Sequence, residues 1–177
     1  NLLDGGASGD TIYGGAGSDT LVGQTGADTF AGGLGDDYIY GNAQNITSAD
    51  SDRDVVDYSS AGAGITLNLS STDSNIELSN EMTSTVAVQT ATGEGTDKLY
   101  DIQDVLGSNN NDTLIGNDEV NSLVGNNGND LLIGGAGADV LIGGNNNDTI
   151  LGGLDDANVP YEIYDRCLKR GVSHLQF

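Results

Sequence analysis

The 177-residue chain contains one cysteine, one proline and no tryptophan. A single cysteine, Cys167, excludes a framework of internal disulfides. Scarce proline excludes a collagen triple helix, although the chain has 28 glycines. No apolar run is long enough to span a membrane. A small fold without disulfides needs another source of stability, and a bound metal ion is the usual one.

Positive charge is also scarce, since the chain has 5 Lys and Arg residues and 27 Asp and Glu residues, which gives a formal net charge of −22. Such a surface repels nucleic-acid phosphates and anionic lipids, so we expect neither nucleic-acid binding nor membrane insertion. The same charge, combined with abundant glycine and few aromatic residues, predicts a chain that stays disordered until cations neutralise it.

Most of the glycine belongs to two arrays of nine-residue units, and every unit begins with glycine. The first array occupies residues 1–41, and its four complete units begin at Gly5, Gly14, Gly23 and Gly32. The second array occupies residues 107–157, and its units begin at Gly107, Gly116, Gly125, Gly134, Gly143 and, in decaying form, Gly152.

Each column of the aligned units has one chemical character. The eighth position is always aliphatic or aromatic, whereas the sixth holds Asp10, Asp19, Asp28, Asp37, Asp112, Asn121, Asp130, Asp139 and Asp148. Six glycine-rich residues can form a tight turn, and the last three can form a short strand whose middle side chain points inward. Two units then make one coil, which predicts an all-β fold, a parallel β-roll or right-handed β-solenoid.

Stacked coils would place sixth-position side chains 18 residues apart above one another, at the strand spacing of about 4.8 Å. Carboxylates at that spacing repel each other strongly, and a hard divalent cation between them converts the repulsion into coordination. Calcium suits six or more oxygen ligands in flexible geometry, whereas magnesium requires a strict octahedron. Zinc prefers Cys and His, and this chain has one of each. The pattern therefore predicts several Ca²⁺ ions.

The units at 14–22 (GGAGSDTLV), 32–40 (GGLGDDYIY) and 134–142 (GGAGADVLI) resemble the RTX (repeats-in-toxin, hemolysin-type) nonapeptide G-G-x-G-x-D-x-U-x. The resemblance implies that sixth-position side chains and turn carbonyls of successive coils bind Ca²⁺. It identifies the carbonyl donors as Gly15, Gly17, Gly33, Gly35, Gly135 and Gly137. At Asn121 an amide replaces the carboxylate, so we expect a weaker site there.

Residues 42–106 break the nine-residue phase and contain only four glycines, so the repeat stops there. Alternating β-branched and polar residues at 54–58, 64–69 and 85–90 predict strands. We expect this β-rich spacer either to continue the stack irregularly or to form a small sheet that caps the open ends. Residues 158–177 form a tail that does not continue the repeat, and a native tail and a reading-frame artefact are both compatible with it.

Acidic residues of the spacer allow other interpretations. The segment 50–54 (DSDRD) begins like an EF-hand loop, but Val55 and Ala61 stand where glycine and glutamate are required. A solvated loop is favoured over an additional calcium contact. Asp54 and Asp57 could form a catalytic carboxylate pair, but acidic pairs are common throughout this chain. We therefore expect no enzymatic activity of the chain itself.

The resemblance implies a calcium-binding module of a secreted bacterial protein exported by type I secretion. We expect the module to fold on Ca²⁺ uptake outside the cell and to stabilise or present an upstream domain of the same polypeptide. The alternative is an accessory module of a secreted protease, lipase or polysaccharide epimerase. We expect a monomer in either case.

Overall fold

The computed structural model describes residues 1–42, 52–70, 86–91 and 95–153, and the regular structure in these ranges is β-strand. None of these residues forms a helix that could cross a membrane. In chain order the strands are β1 (Leu2–Ala7), β2 (Thr11–Ala16), β3 (Thr20–Thr25), β4 (Thr29–Leu34), β5 (Tyr38–Asn42), β6 (Val55–Asp57), β7 (Ile65–Asn68), β8 (Val86–Ala91), β9 (Gly95–Tyr100), β10 (Asp104–Leu106), β11 (Thr113–Ile115), β12 (Ser122–Val124), β13 (Leu131–Ile133), β14 (Val140–Ile142) and β15 (Thr149–Leu151).

The strands form two sheets that run along the whole roll. Sheet A has nine strands in the order β1-β3-β5-β9-β8-β7-β11-β13-β15. Sheet B has six strands in the order β14-β12-β10-β6-β4-β2, and all of its pairings are parallel. Within each array the chain alternates between the sheets, because each nine-residue unit supplies one strand.

The register of the pairings follows the 18-residue coil. Leu21 lies opposite Ile39 in β3 and β5, and Leu132 lies opposite Ile150 in β13 and β15. Each of these pairs joins the eighth positions of two units that are two repeats apart. The prediction of an all-β parallel roll built from nonapeptide units is confirmed.

The described part of the spacer continues both sheets. In sheet B, Val56 of β6 lies between Phe30 and Val105. In sheet A, β9 pairs in parallel with β5, and β7 pairs in parallel with β11. Strand β8 lies between β7 and β9 and is antiparallel to both. The two arrays therefore belong to one continuous roll, and among the described residues the antiparallel pairing occurs in sheet A alone.

The hydrophobic core follows the inward-pointing column. Eighth-position residues from both arrays, including Leu21, Leu123 and Leu132, are fully buried in a single cluster that also contains Val56 and Leu67 of the spacer. Short strands suffice here, because each contributes one deeply buried side chain that stacks on its neighbours 18 residues away.

Some expectations fall outside the described residues. The tail at 158–177, with Cys167, lies beyond them, and so do Asp50 and most of the decaying unit that begins at Gly152.

Candidate metal centre

A hydrogen-bond ladder joins the sixth positions of successive coils. The backbone N–H of Asp19 donates to Oδ1 of Asp37 at 2.8 Å, and that of Asp112 donates to Oδ1 of Asp130 at 2.9 Å. The same bond links Asp10 to Asp28, Asn121 to Asp139, and Asp130 to Asp148. One carboxylate oxygen of each acceptor therefore fixes the register between coils, and the side chains lie inside the stack.

The second carboxylate oxygen has a different environment. In Asp10, Asp19, Asp37 and Asp130, Oδ2 is buried and accepts no hydrogen bond from the described residues. Buried carboxylate oxygens normally have partners, because losing the solvation of a charged group is costly. A hard cation would supply the missing interaction, so these oxygens fit calcium ligands.

Burial also changes the pKa of several sixth-position aspartates. Burial and, to a smaller extent, the neighbouring Asp112 and Asp148 carboxylates together raise the pKa of Asp130 to about 6, against the opposing effect of the ladder hydrogen bond. Burial likewise raises the pKa of Asp37 and of Asp112. Without a cation, ionised carboxylates at these positions are therefore disfavoured in the folded state.

The first-position glycine of each unit makes room for the carboxylate of the same unit. A Cβ on Gly14 would lie 3.0 Å from Oδ2 of Asp19, and one on Gly5 would lie 2.9 Å from Oδ2 of Asp10. In the second array a Cβ on Gly125 would collide with Asp130. The invariant first glycine is thus explained by a close approach of side chain to backbone.

The glycines predicted to donate carbonyls lie in the turns that carry the carboxylates. All six have a left-handed backbone, with φ between 97° and 129°: Gly15, Gly17, Gly33, Gly35, Gly135 and Gly137. The carbonyl oxygens of Gly15 and Gly17 face the α-carbons of the matching glycines one coil on, so closely that a Cβ there would collide with them. The structure therefore brings backbone carbonyls between successive turns.

Three residues of the spacer that were not predicted to join the two columns continue them, and Asp54, expected in a solvated loop, is buried. Oδ1 of Asp54 accepts the Asp28 N–H at 2.9 Å, and Oδ1 of Asp97 accepts the Asp37 N–H at 3.0 Å. The side-chain oxygen of Gln103 accepts the Asp54 N–H at 2.9 Å. Each of the three precedes a buried aliphatic residue by two positions, as in the repeat, and this spacing is a signal that could have identified them.

Two predicted ligands have protein donors in their own turn. Oδ2 of Asp112 accepts the Ser108 N–H at 2.8 Å, while Oδ1 accepts the Ser108 hydroxyl and the Ile65 N–H, both at 2.7 Å. The Asn121 side chain accepts the Asn117 N–H at 2.9 Å and donates to the carbonyl of Gln103 at 2.8 Å. These side chains differ from those whose second oxygen lacks a donor.

Carboxylates alone do not form a metal site in the described ranges, since no three His, Cys, Asp or Glu side chains converge there. A cation bound in the turns would therefore need backbone carbonyls as well, which suits calcium with its large and flexible oxygen coordination.

The RTX calcium-binding nonapeptide repeat family matches the chain in four copies, at residues 1–29, 14–45, 106–141 and 124–157. Together these matches cover more than half of the chain, on both sides of the spacer. No curated protein matches the chain significantly. The buried acidic column, the glycine turns and the family match agree, and the chain belongs to the RTX calcium-binding nonapeptide repeat family.

Proposed function

We propose that the chain is a calcium-dependent folding module of a secreted protein. The observation that carries this proposal is the buried Oδ2 of Asp10, Asp19, Asp37 and Asp130, which accepts no hydrogen bond from the described residues. The proposed carboxylate ligands are Asp10, Asp19, Asp28, Asp37, Asp130, Asp139 and Asp148. The proposed carbonyl ligands are those of Gly15, Gly17, Gly33, Gly35, Gly135 and Gly137.

Coupling between folding and calcium follows from the stacked charges. Two carboxylates one strand spacing apart repel by roughly 3 kcal/mol at an effective dielectric constant of about 20. Desolvation adds to this cost and, with the neighbouring carboxylates, raises the pKa of Asp130 to about 6 although the ladder N–H lowers it. Bound calcium supplies positive charge and Lewis acidity between the turns. Because the separated turns of an unfolded chain cannot form the site, calcium binding stabilises the folded roll.

Secretion gives this coupling a use. In a calcium-poor cytosol, repulsion within a chain of net charge −22 keeps it unfolded and suitable for a narrow export channel. Outside the cell, calcium triggers folding into a monomeric roll, which stabilises or presents an upstream domain of the same polypeptide. The acidic composition and the membership of a calcium-binding repeat family support this part of the proposal.

Far-UV circular dichroism tests the folding switch. The spectrum of the calcium-free chain is expected to be that of a disordered polypeptide, and calcium should convert it to a β spectrum that EDTA reverses. Magnesium at the same concentration is the control and should produce little change. A chain that is already fully β in EDTA would refute the proposal.

A further inference from the structure

The turns of the two arrays have two different backbone conformations. In seven of the nine units that the structure describes completely, the second position is left-handed, with φ between 73° and 107°. These units begin at Gly5, Gly14, Gly23, Gly32, Gly125, Gly134 and Gly143. The fourth position of each is left-handed too. In the units that begin at Gly107 and Gly116, neither position has a positive φ. We refer to these as open turns and closed turns.

The two closed turns share one set of hydrogen bonds. The fourth-position N–H donates to the second-position side chain, from Asn110 to Ser108 at 3.0 Å and from Glu119 to Asn117 at 2.9 Å. The second-position N–H then donates to the sixth-position side chain, Asp112 or Asn121. A closed turn therefore satisfies its sixth-position side chain with its own backbone.

The next coil of the same column shows the contrast. Asp130 belongs to an open turn, and its Oδ1 accepts the Asp112 N–H as part of the ladder. Its Oδ2 is buried and accepts no hydrogen bond from any residue that the structure describes, whereas the corresponding oxygen of Asp112 accepts the Ser108 N–H at 2.8 Å. The same residue type thus needs an external partner in the open turn and has an internal one in the closed turn.

Glycine content accounts for the difference. Every open turn has glycine at the second position, the fourth position or both. Where one of these positions holds a left-handed non-glycine residue, such as Gln24 or Asn126, the other position holds glycine. The closed turns have glycine at neither position. Two left-handed non-glycine residues in one turn would cost too much conformational energy. These turns therefore adopt the closed conformation with its internal hydrogen bonds.

We infer that the closed turns bind no cation, and that Ser108 and Asn117 take over the role that calcium has in the open turns. This inference rests on the proposed function, because it assumes that the open turns bind calcium. It divides the sixth-position column into ligands and internally bonded residues, and it places Asp112 and Asn121 in the second group.

Two matched substitutions test the division. D112N gives this closed turn the side chain that the other one has at Asn121, and because both oxygens of Asp112 accept hydrogen bonds, circular dichroism in calcium first checks that the variant folds. The number of calcium ions bound per chain, measured by equilibrium titration with the free ion monitored, is expected to be unchanged in D112N. In D130N it is expected to fall by at least one.

A variant that should gain a calcium site tests the same inference. S108G/N110G gives the closed turn two glycines and removes the Ser108 hydroxyl, so at least one additional calcium ion should bind. N109G/N111G is the control, because it adds two glycines to the same turn at positions that are not left-handed, and its count should match that of the native chain.

The outcomes separate the inference from the proposed function. A native chain that binds no calcium refutes the proposed function. A native chain that binds calcium, with D112N losing as many ions as D130N, overturns the inference alone. A count for S108G/N110G equal to the native count overturns it as well.

Discussion

Replacing Asp130 by asparagine separates the two roles of its carboxylate. Oδ1 accepts the Asp112 N–H at 2.9 Å, and buried Oδ2 has no hydrogen-bond donor within the described part of the chain. Asparagine keeps an acceptor for the ladder but places an amide NH₂ where Oδ2 lies, and that group cannot bind a cation. Alanine removes both functions. Comparing D130N with D130A therefore isolates the contribution of the cation.

The expected magnitudes follow from the two interactions. One calcium site at a free concentration 100 times its Kd adds about 2.7 kcal/mol to the free energy of unfolding. D130N should lose about that amount in calcium. D130A should lose about 1–3 kcal/mol more, because the buried Asp112 N–H is left without an acceptor.

Without calcium, the effect of D130N on the free energy of unfolding should change sign, so that the substitution stabilises the fold. Burial raises the pKa of Asp130 to about 6, so at neutral pH its ionised form destabilises the metal-free fold. Asparagine removes that charge while it keeps the ladder bond, and the metal-free roll becomes more stable.

Urea unfolding in saturating calcium, followed by circular dichroism, measures the first effect. Titration with a stabilising osmolyte such as TMAO in EDTA measures the second, since the osmolyte favours the compact state. In calcium, D130N should unfold at a lower urea concentration than the native chain. In EDTA, it should fold at a lower TMAO concentration than the native chain. An equal loss of stability under both conditions would refute the assignment of Oδ2 to the cation.

Three further predictions concern the same columns. G125A should raise the calcium concentration at the folding midpoint, because its Cβ would collide with Oδ2 of Asp130. G62A should leave the midpoint unchanged, because its Cβ would have no atom of the described residues within 4 Å. L132A should lower the free energy of unfolding in calcium by about 2–5 kcal/mol, since Leu132 is fully buried; V120A at an exposed turn should change it by less than about 0.5 kcal/mol in urea titrations. The raised pKa of Asp130 stabilises the metal-free fold at pH values below the unfolded pKa, and this contribution is lost as the pH rises through about 6. Calcium must displace that proton, so the calcium midpoint should be higher one pH unit below 6 than one unit above, and a midpoint that is independent of pH would contradict this.

The period of the repeat made most of the fold predictable. A nine-residue unit with one inward residue determines strand length, coil size and an 18-residue register together, so the spacing of Leu21 and Ile39 is enough to pair them. The sixth-position column followed from the same period. Which carbonyl and carboxylate oxygens bind calcium stays a prediction, tested by the substitutions above.

The spacer could not be predicted in the same way, because a variable loop length carries no register. Asp54 stacks on Asp28 across 26 residues, and Asp97 stacks on Asp37 across 60. Their position two residues before a buried aliphatic residue marks them as candidates, but it does not say which coil each one joins. The antiparallel strand β8 carries no trace of the repeat at all.

The middle of the roll has the least need for cations, and this determines where structure should persist without them. In the sheet B column the neutral amides Gln103 and Asn121 lie between Asp54 and Asp139, and in the sheet A column the carboxylate of Asp97 accepts the buried Tyr58 hydroxyl at 2.7 Å. The electrostatic cost of folding is therefore lowest around β10 and β12. Amide hydrogen exchange in EDTA, with enough osmolyte to populate the compact state, should show the slowest exchange in these two strands and faster exchange towards β2 and β14. Equal protection along sheet B would mean that the stability of the roll without calcium does not depend on whether a column position holds an amide or a carboxylate.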